Sequence, residues 1–260
     1  TSLIFLTPII GGWLADNVLG FKRAMGIGFA LMIGGLLVLS INSSYSLYAG
    51  LSLLICGAGF FKTNAICLIG NYYQDQPEKK QVVYSLYYVI ANIGATLGPI
   101  LCAVVSEKLN YSAAFLLAAT GMAIGLTTLL LLKQNVNKVD GRSSNKISSK
   151  QKTSLGLGIL IAIGFVSVVL KDNIAGYLLS AVSIAALLCM TKVFKLASRI
   201  QKRGLLWGLL LTLFGTVFWI YDMQGSSSIS LFISRNVDRL GIPTAMFQSI
   251  NPIAILLFGA

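Results

Sequence analysis

Apolar runs long enough to cross a bilayer recur from one end of this chain to the other, with short polar breaks between them. A crossing segment needs about 20 mostly apolar residues to cover roughly 30 Å of hydrocarbon. No water is present at that depth to pair with backbone N–H and C=O groups. Each crossing segment must therefore be a helix or a strand of a closed barrel. The runs here are continuous rather than alternating, which excludes barrel strands. Length and polarity place spans at about 1–16, 24–42, 47–70, 82–106, 112–133, 155–171, 174–194, 205–232 and 245–260. The fold class that follows is all-α, a polytopic membrane helical bundle. A composition of 56% hydrophobic and 11% charged residues agrees with it.

The charges give a direction. Basic residues gather in alternate connections: Lys22 and Arg23; Lys79 and Lys80; Lys133 through Lys152; Lys192 through Arg203. The intervening connections hold only Lys108, Lys171, Arg235 and Arg239. Cytoplasmic loops carry the Lys/Arg excess, so the basic connections face the cytoplasm. The net charge of +12 thus reports topology and contact with anionic lipid, rather than nucleic acid. The chain divides into a first bundle (1–133), a basic polar linker (134–153), a helix pair with its own basic linker (154–203) and the start of a second bundle (204–260). It opens and closes inside apolar runs and does not begin with Met. A piece of a longer protein is therefore expected, with further spans at both ends. Nothing in the sequence sets an oligomeric state.

Several chemistries are excluded. There is no histidine, so no His-based metal site or proton relay is expected. The four cysteines stand alone in apolar runs, without metal-ligand spacing. No Gly-rich phosphate loop or nucleophile elbow is present. The reading is neither an enzyme nor a metal or cofactor protein.

Two charges lie inside spans. Lys62 sits in "CGAGFFKTNAICLIG" and Asp222 in "FWIYDMQGSSS". Each costs about 2.5–3.5 kcal/mol at a helix centre. Such residues usually face a polar cavity or a partner and mark a solute or proton path. A purely structural ion pair between the two, or a Lys62 that snorkels to the interface, is the plainer alternative. "YSLYYVIANIG" puts Tyr84, Tyr88 and Asn92 at i, i+4 and i+8, on one helix face. Phe218, Trp219 and Ser226 flank Asp222, and Asn251 with Pro252 opens the last span. Interhelical hydrogen bonding is the alternative to solute contact for these polar groups.

"GGWLADNVLGFKR" resembles the loop between the second and third helices of the major facilitator superfamily, and its first part resembles the signature of the proton-dependent oligopeptide transporters. "GAGFFKTN", "YSLYYVIANIGATLGP", "FWIYDMQGSS" and "SINPI" are similar, in order, to that family's fourth, fifth, seventh and eighth helices. The resemblance implies a partial major facilitator fold, with an inserted helix pair between bundles. It gives Gly11, Gly12, Asp16, Gly20, Lys22 and Arg23 structural roles in the loop motif. It implies peptide contact for Lys62, Tyr88, Asn92, Trp219 and Asn251, and proton coupling for Asp222 and Lys62. The implied function is symport of di- and tripeptides with protons by alternating access, across a bacterial inner membrane. The driving force is the proton gradient and no cofactor is needed. The family's Glu-rich first helix is absent from this chain, Phe5 stands where many members have tyrosine, and Asp222 where many bacterial members have Glu. Competing readings are a major facilitator for another small solute and a non-transporting decayed fragment. This stretch alone, with half the cavity wall, is expected to insert without carrying peptide.

The alternation of basic connections yields a test. A cysteine placed at Ser148 should be labelled only from the cytoplasm, and one at Asn173 only from outside. Labelling of both from one side would contradict the span order.

Overall fold

The computed structural model describes residues 3–131, 149–171 and 174–259. Most of the expected linker, and Asn173, lie outside these residues. Among the described residues the secondary structure is helical, without strands. Helix α1 (Leu3–Leu14) runs into a π-helical turn (Ala15–Leu19), followed by α2 (Phe21–Ser40), α3 (Ser44–Tyr72), α4 (Pro77–Lys108) and α5 (Tyr111–Leu131). Then come α6 (Ser149–Lys171), α7 (Ala175–Leu196), α8 (Arg199–Gln224) and α9 (Ser228–Asn236). A 3₁₀ turn (Thr244–Ser249) leads into α10 (Ile250–Phe258).

Local chemistry explains the helix ends. Gly20 adopts φ 78°, a conformation that L side chains resist, and there the π turn stops and α2 starts. Pro77 opens α4, where its missing N–H is no loss. Asn110 Oδ1 accepts from the Ala113 N–H at 2.7 Å and caps α5. Ser198 and Gln201 exchange side-chain and backbone hydrogen bonds at the start of α8, a capping box.

Among the described residues, five helical stretches are long and apolar enough to cross a membrane: α2, α3, α4, α5 and the combined stretch Gln201–Asn236. That last stretch was read from sequence as one span, 205–232. The structure divides it at Gly225–Ser227, between α8 and α9. Glycine and three serines in a row supply weak helix propensity and hydroxyls that compete for backbone groups. Helix α6 also starts earlier than expected, so Ser149 to Thr153 belong to it rather than to the linker. Polar residues read as linker are equally compatible with a helical turn beyond the hydrocarbon.

The packing centres on α2 and α3. Gly28 and Gly35 on α2 face Gly57 and Gly50 on α3, in antiparallel register. A Cβ at Gly28 would lie 2.9 Å from the Gly57 carbonyl oxygen, and one at Gly35 would lie 2.8 Å from that of Gly50. The two backbones therefore touch, as small residues permit where lipid tails offer no hydrophobic drive for association. Helix α1 uses the same device against the other side of α3. A Cβ at Gly11 would fall on the Gly59 carbonyl, and Thr7 Oγ1 donates to the Ile55 carbonyl at 3.0 Å. Side chains fill in around this contact: Met25, Phe29 and Met32 of α2 with Ala58 and Ala65 of α3 and Leu129 of α5. The Phe29 and Phe61 rings meet with centroids 4.7 Å apart. Helix α6 lies on α3 through Val166 and Val169 against Ile55 and Cys56, with the Ser52 and Ser167 hydroxyls 2.8 Å apart. Helices α7 and α8 bury none of their described residues. Apolar side chains in a bilayer need no protein cover.

Gly26 and Gly28 separate close contact from ordinary helix. A Cβ at Gly26 meets nothing within 4 Å, whereas one at Gly28 collides with backbone. Gly28→Ala should lower stability by about 1–3 kcal/mol, the usual cost of overpacking. Gly26→Ala should leave it unchanged or slightly raised. Thermal denaturation of the detergent-solubilised protein measures both, and equal melting temperatures would contradict the backbone contact.

Candidate functional site

Polar side chains on α3 and α4 form one half of the candidate site. Lys62 lies on the exposed side of α3. Two residues later Asn64 is fully buried, donating from Nδ2 to the Phe60 carbonyl at 2.7 Å and to the Gly11 carbonyl at 3.4 Å. Among the described residues its Oδ1 accepts nothing. Asn64 thus ties α3 to α1 at the glycine contact. On α4, the Tyr84 hydroxyl reaches the Ile66 carbonyl of α3 at 3.5 Å, so of the three stripe residues this one serves helix packing. Tyr88 is exposed, with 54% of its surface accessible. Asn92 is buried and donates from Nδ2 to the Tyr88 carbonyl at 2.8 Å. That bond spends one amide hydrogen and leaves Oδ1 as an acceptor without a partner among the described residues.

The other half is built where α8 ends. Asp222 falls in the last turn of α8, where exposed carbonyl dipoles repel a negative charge. It faces the first turn of α10, the end of a helix that favours one. Asn251, in that turn, donates from Nδ2 to Asp222 Oδ1 at 3.1 Å. Among the described residues the carboxylate's hydrogen-bond partner is therefore the Asn251 amide. A cavity of about 420 Å³ opens beside this pair, lined by Asp222, Met223, Ser226, Phe247, Asn251 and Pro252. Trp219, one turn earlier, is half exposed and sets its ring edge-to-face with Phe218, centroids 6.1 Å apart.

The halves meet through α4, which packs against both the 3₁₀ turn and α10. The Ser249 hydroxyl donates to the Thr96 carbonyl at 2.8 Å, and Thr96 Oγ1 donates to the Asn92 carbonyl at 2.9 Å. Neither Thr96 nor Ser249 is singled out by the sequence reading. Thr96 extends the Tyr84–Tyr88–Asn92 spacing by one more turn, a signal that was there to follow. Ser249 has no such signal, because its partner lies on a distant helix. In the loop motif Gly11 and Gly20 serve close approach and positive φ, Gly12 makes ordinary contact with Thr63, Lys22 is buried, and Asp16 is exposed. No group of three or more metal-ligating side chains forms among the described residues.

A set of hydrogen-bonding groups on two helical units, with no nucleophile–base pair among them, offers donors and acceptors to a polar solute. Comparison with known proteins bears on which solute. Residues 22–260 match the family model described as PTR2, the POT family. The chain is 27% identical over 272 residues to the "Uncharacterized transporter YclF" of Bacillus subtilis (strain 168), covering 99% of this chain and 55% of that protein. It is 28% identical to dipeptide and tripeptide permease A of Erwinia pyrifoliae, covering 99% of this chain and 54% of that one. A solved bacterial homologue of the human drug peptide transporters superposes with a TM-score of 0.86 at 26% identity, over 99% of this chain and 59% of that one. A peptide transporter variant crystallised with alafosfalin superposes with a TM-score of 0.78 at 26% identity, over 98% of this chain and 55% of that one. The chain spans about half the length of the curated relatives it matches.

Proposed function

This chain belongs to the POT family, and from that membership we propose that the full-length transporter carrying it moves di- and tripeptides into the cell together with protons. The family is one of transporters rather than enzymes, and the helices make the chain part of a multi-pass membrane protein. The curated relatives are bacterial, which supports a place in a bacterial inner membrane. The proton gradient is the driving force and no cofactor takes part.

The observation that carries this reading is the Asp222–Asn251 pair, set beside a cavity and joined through α4 to the Asn92 stripe. A peptide offers a carboxylate, an ammonium and an amide backbone. Lys62 suits the carboxylate, and the unused Asn92 Oδ1 suits a backbone N–H. Tyr88 adds a hydroxyl on a flat ring, Trp219 an apolar face, and Asn251 a polar contact at the amino end. Asp222 takes up and releases the coupled proton. While ionised it accepts from Asn251; once protonated it has an O–H to donate, so the pairing with Asn251 changes with its proton. Groups that read backbone and termini accept many side chains, which suits a broad set of short peptides. Two bundles rocking about this site give access from either side in turn.

The roles separate in one experiment on the full-length transporter in proteoliposomes. Lys62→Ala should abolish uptake driven by a proton gradient while reducing peptide counterflow far less. Asn92→Ala should raise the peptide KM about three- to tenfold, the usual range for losing one hydrogen bond. If both variants transport peptide like the unmodified protein, the site assignment is wrong.

A further inference from the structure

The hydrogen bonds along α4 form a single file that crosses from one bundle to the other. Asn92 donates to the Tyr88 carbonyl, Thr96 to the Asn92 carbonyl, and Ser249 to the Thr96 carbonyl. Ser249 is 1% exposed, and two residues further on Asn251 holds Asp222. A helix carbonyl already receives an N–H from the next turn, so a side chain from another element needs room to reach its second lone pair. Pro99 lies inside α4 and has no N–H, so the Ala95 carbonyl, next to Thr96, receives no N–H from the following turn. Thr96 belongs to that turn. The file therefore joins the expected peptide contacts on α4 to the acid and its amide on α8 and α10.

We propose that Ser249 is a positioning residue, whose hydroxyl on the Thr96 carbonyl fixes the register between the Asn92 stripe and the Asn251–Asp222 pair. The inference rests on the peptide site proposed above and adds what holds its halves in register in the arrangement described, between the rocking movements of the bundles. Apolar contact between bundles is non-directional and tolerates sliding. A 2.8 Å hydrogen bond does not, because its strength falls steeply as geometry is lost. The buried hydroxyl also loses its partner whenever the bundles slip, which penalises the slipped arrangements. A peptide bridging both halves then meets groups already spaced for it and pays less to order them. Ser249 touches no peptide in this scheme; it acts through Asn251 and Thr96.

The test measures peptide KM and maximum rate separately for the full-length transporter in proteoliposomes, with Ser249→Val and Ser249→Thr beside the unmodified protein. The two replacements have nearly the same shape and differ in the hydroxyl. Ser249→Val should raise KM about three- to tenfold with a maximum rate within about twofold of the unmodified protein, and Ser249→Thr should restore the KM. Ser249→Ala reads the same way if the valine variant does not fold. Equal KM values for the valine and threonine variants would overturn the inference, since shape alone would then explain them. A lower maximum rate with unchanged KM would overturn it too. If the unmodified transporter carries no peptide, the proposed function fails, and this inference fails with it.

Discussion

Two glycine pairs, Gly28 with Gly57 and Gly35 with Gly50, let α2 and α3 touch along their backbones, and α1, α5 and α6 are laid against the hairpin so formed. In a bilayer this contact carries unusual weight. Lipid tails are as apolar as leucine, so burying apolar side chains between helices gains little. What remains is close packing and the weak Cα–H···O contacts that bare backbones permit. Gly11 against Gly59 repeats the device, and buried Asn64 ties the same spot with a bond to the Gly11 carbonyl. Lys62 lies one helical turn beyond Gly59 on α3. The position of the basic residue is thus set by a contact made of glycines.

The polar groups follow a second rule of the same solvent: most take a partner within the protein, and the proposed solute would use the valences left over. Asp222 is repelled by the end of its own helix and takes the Asn251 amide at the start of another. Asn92 satisfies one amide hydrogen on its own helix and keeps its carbonyl oxygen open. In the proposed mechanism the two units that share a peptide also move relative to each other. The few bonds crossing between them, such as Ser249 to Thr96, therefore matter more than their number suggests.

Much of this was legible in the sequence because a bilayer imposes simple patterns. The apolar runs gave the helices. The spacing of Tyr88 and Asn92 gave a shared face. The charged residue in "FWIYDMQGSS" and the asparagine of "SINPI" were both singled out from sequence, and the structure pairs them as Asp222 and Asn251. What could not be read was pairing across the fold. The glycines at 28, 35, 50 and 57 show a spacing of seven on each helix, yet their register appears only once the hairpin closes. Tyr84 looks equivalent to Tyr88 by spacing and differs because only Tyr84 comes within reach of the Ile66 carbonyl. The break between α8 and α9 was hidden because the apolar pattern resumes after Gly225–Ser227.

The central claim is that a polar site shared by two helical bundles couples a peptide to a proton. The most direct measurement uses the full-length transporter in liposomes loaded with a pH-sensitive dye, with an inward-negative potential and no initial pH gradient. Adding a dipeptide should acidify the lumen in proportion to peptide entry, and free amino acids should not. Peptide entry without acidification, or no response to peptide while another solute elicits one, would contradict the account.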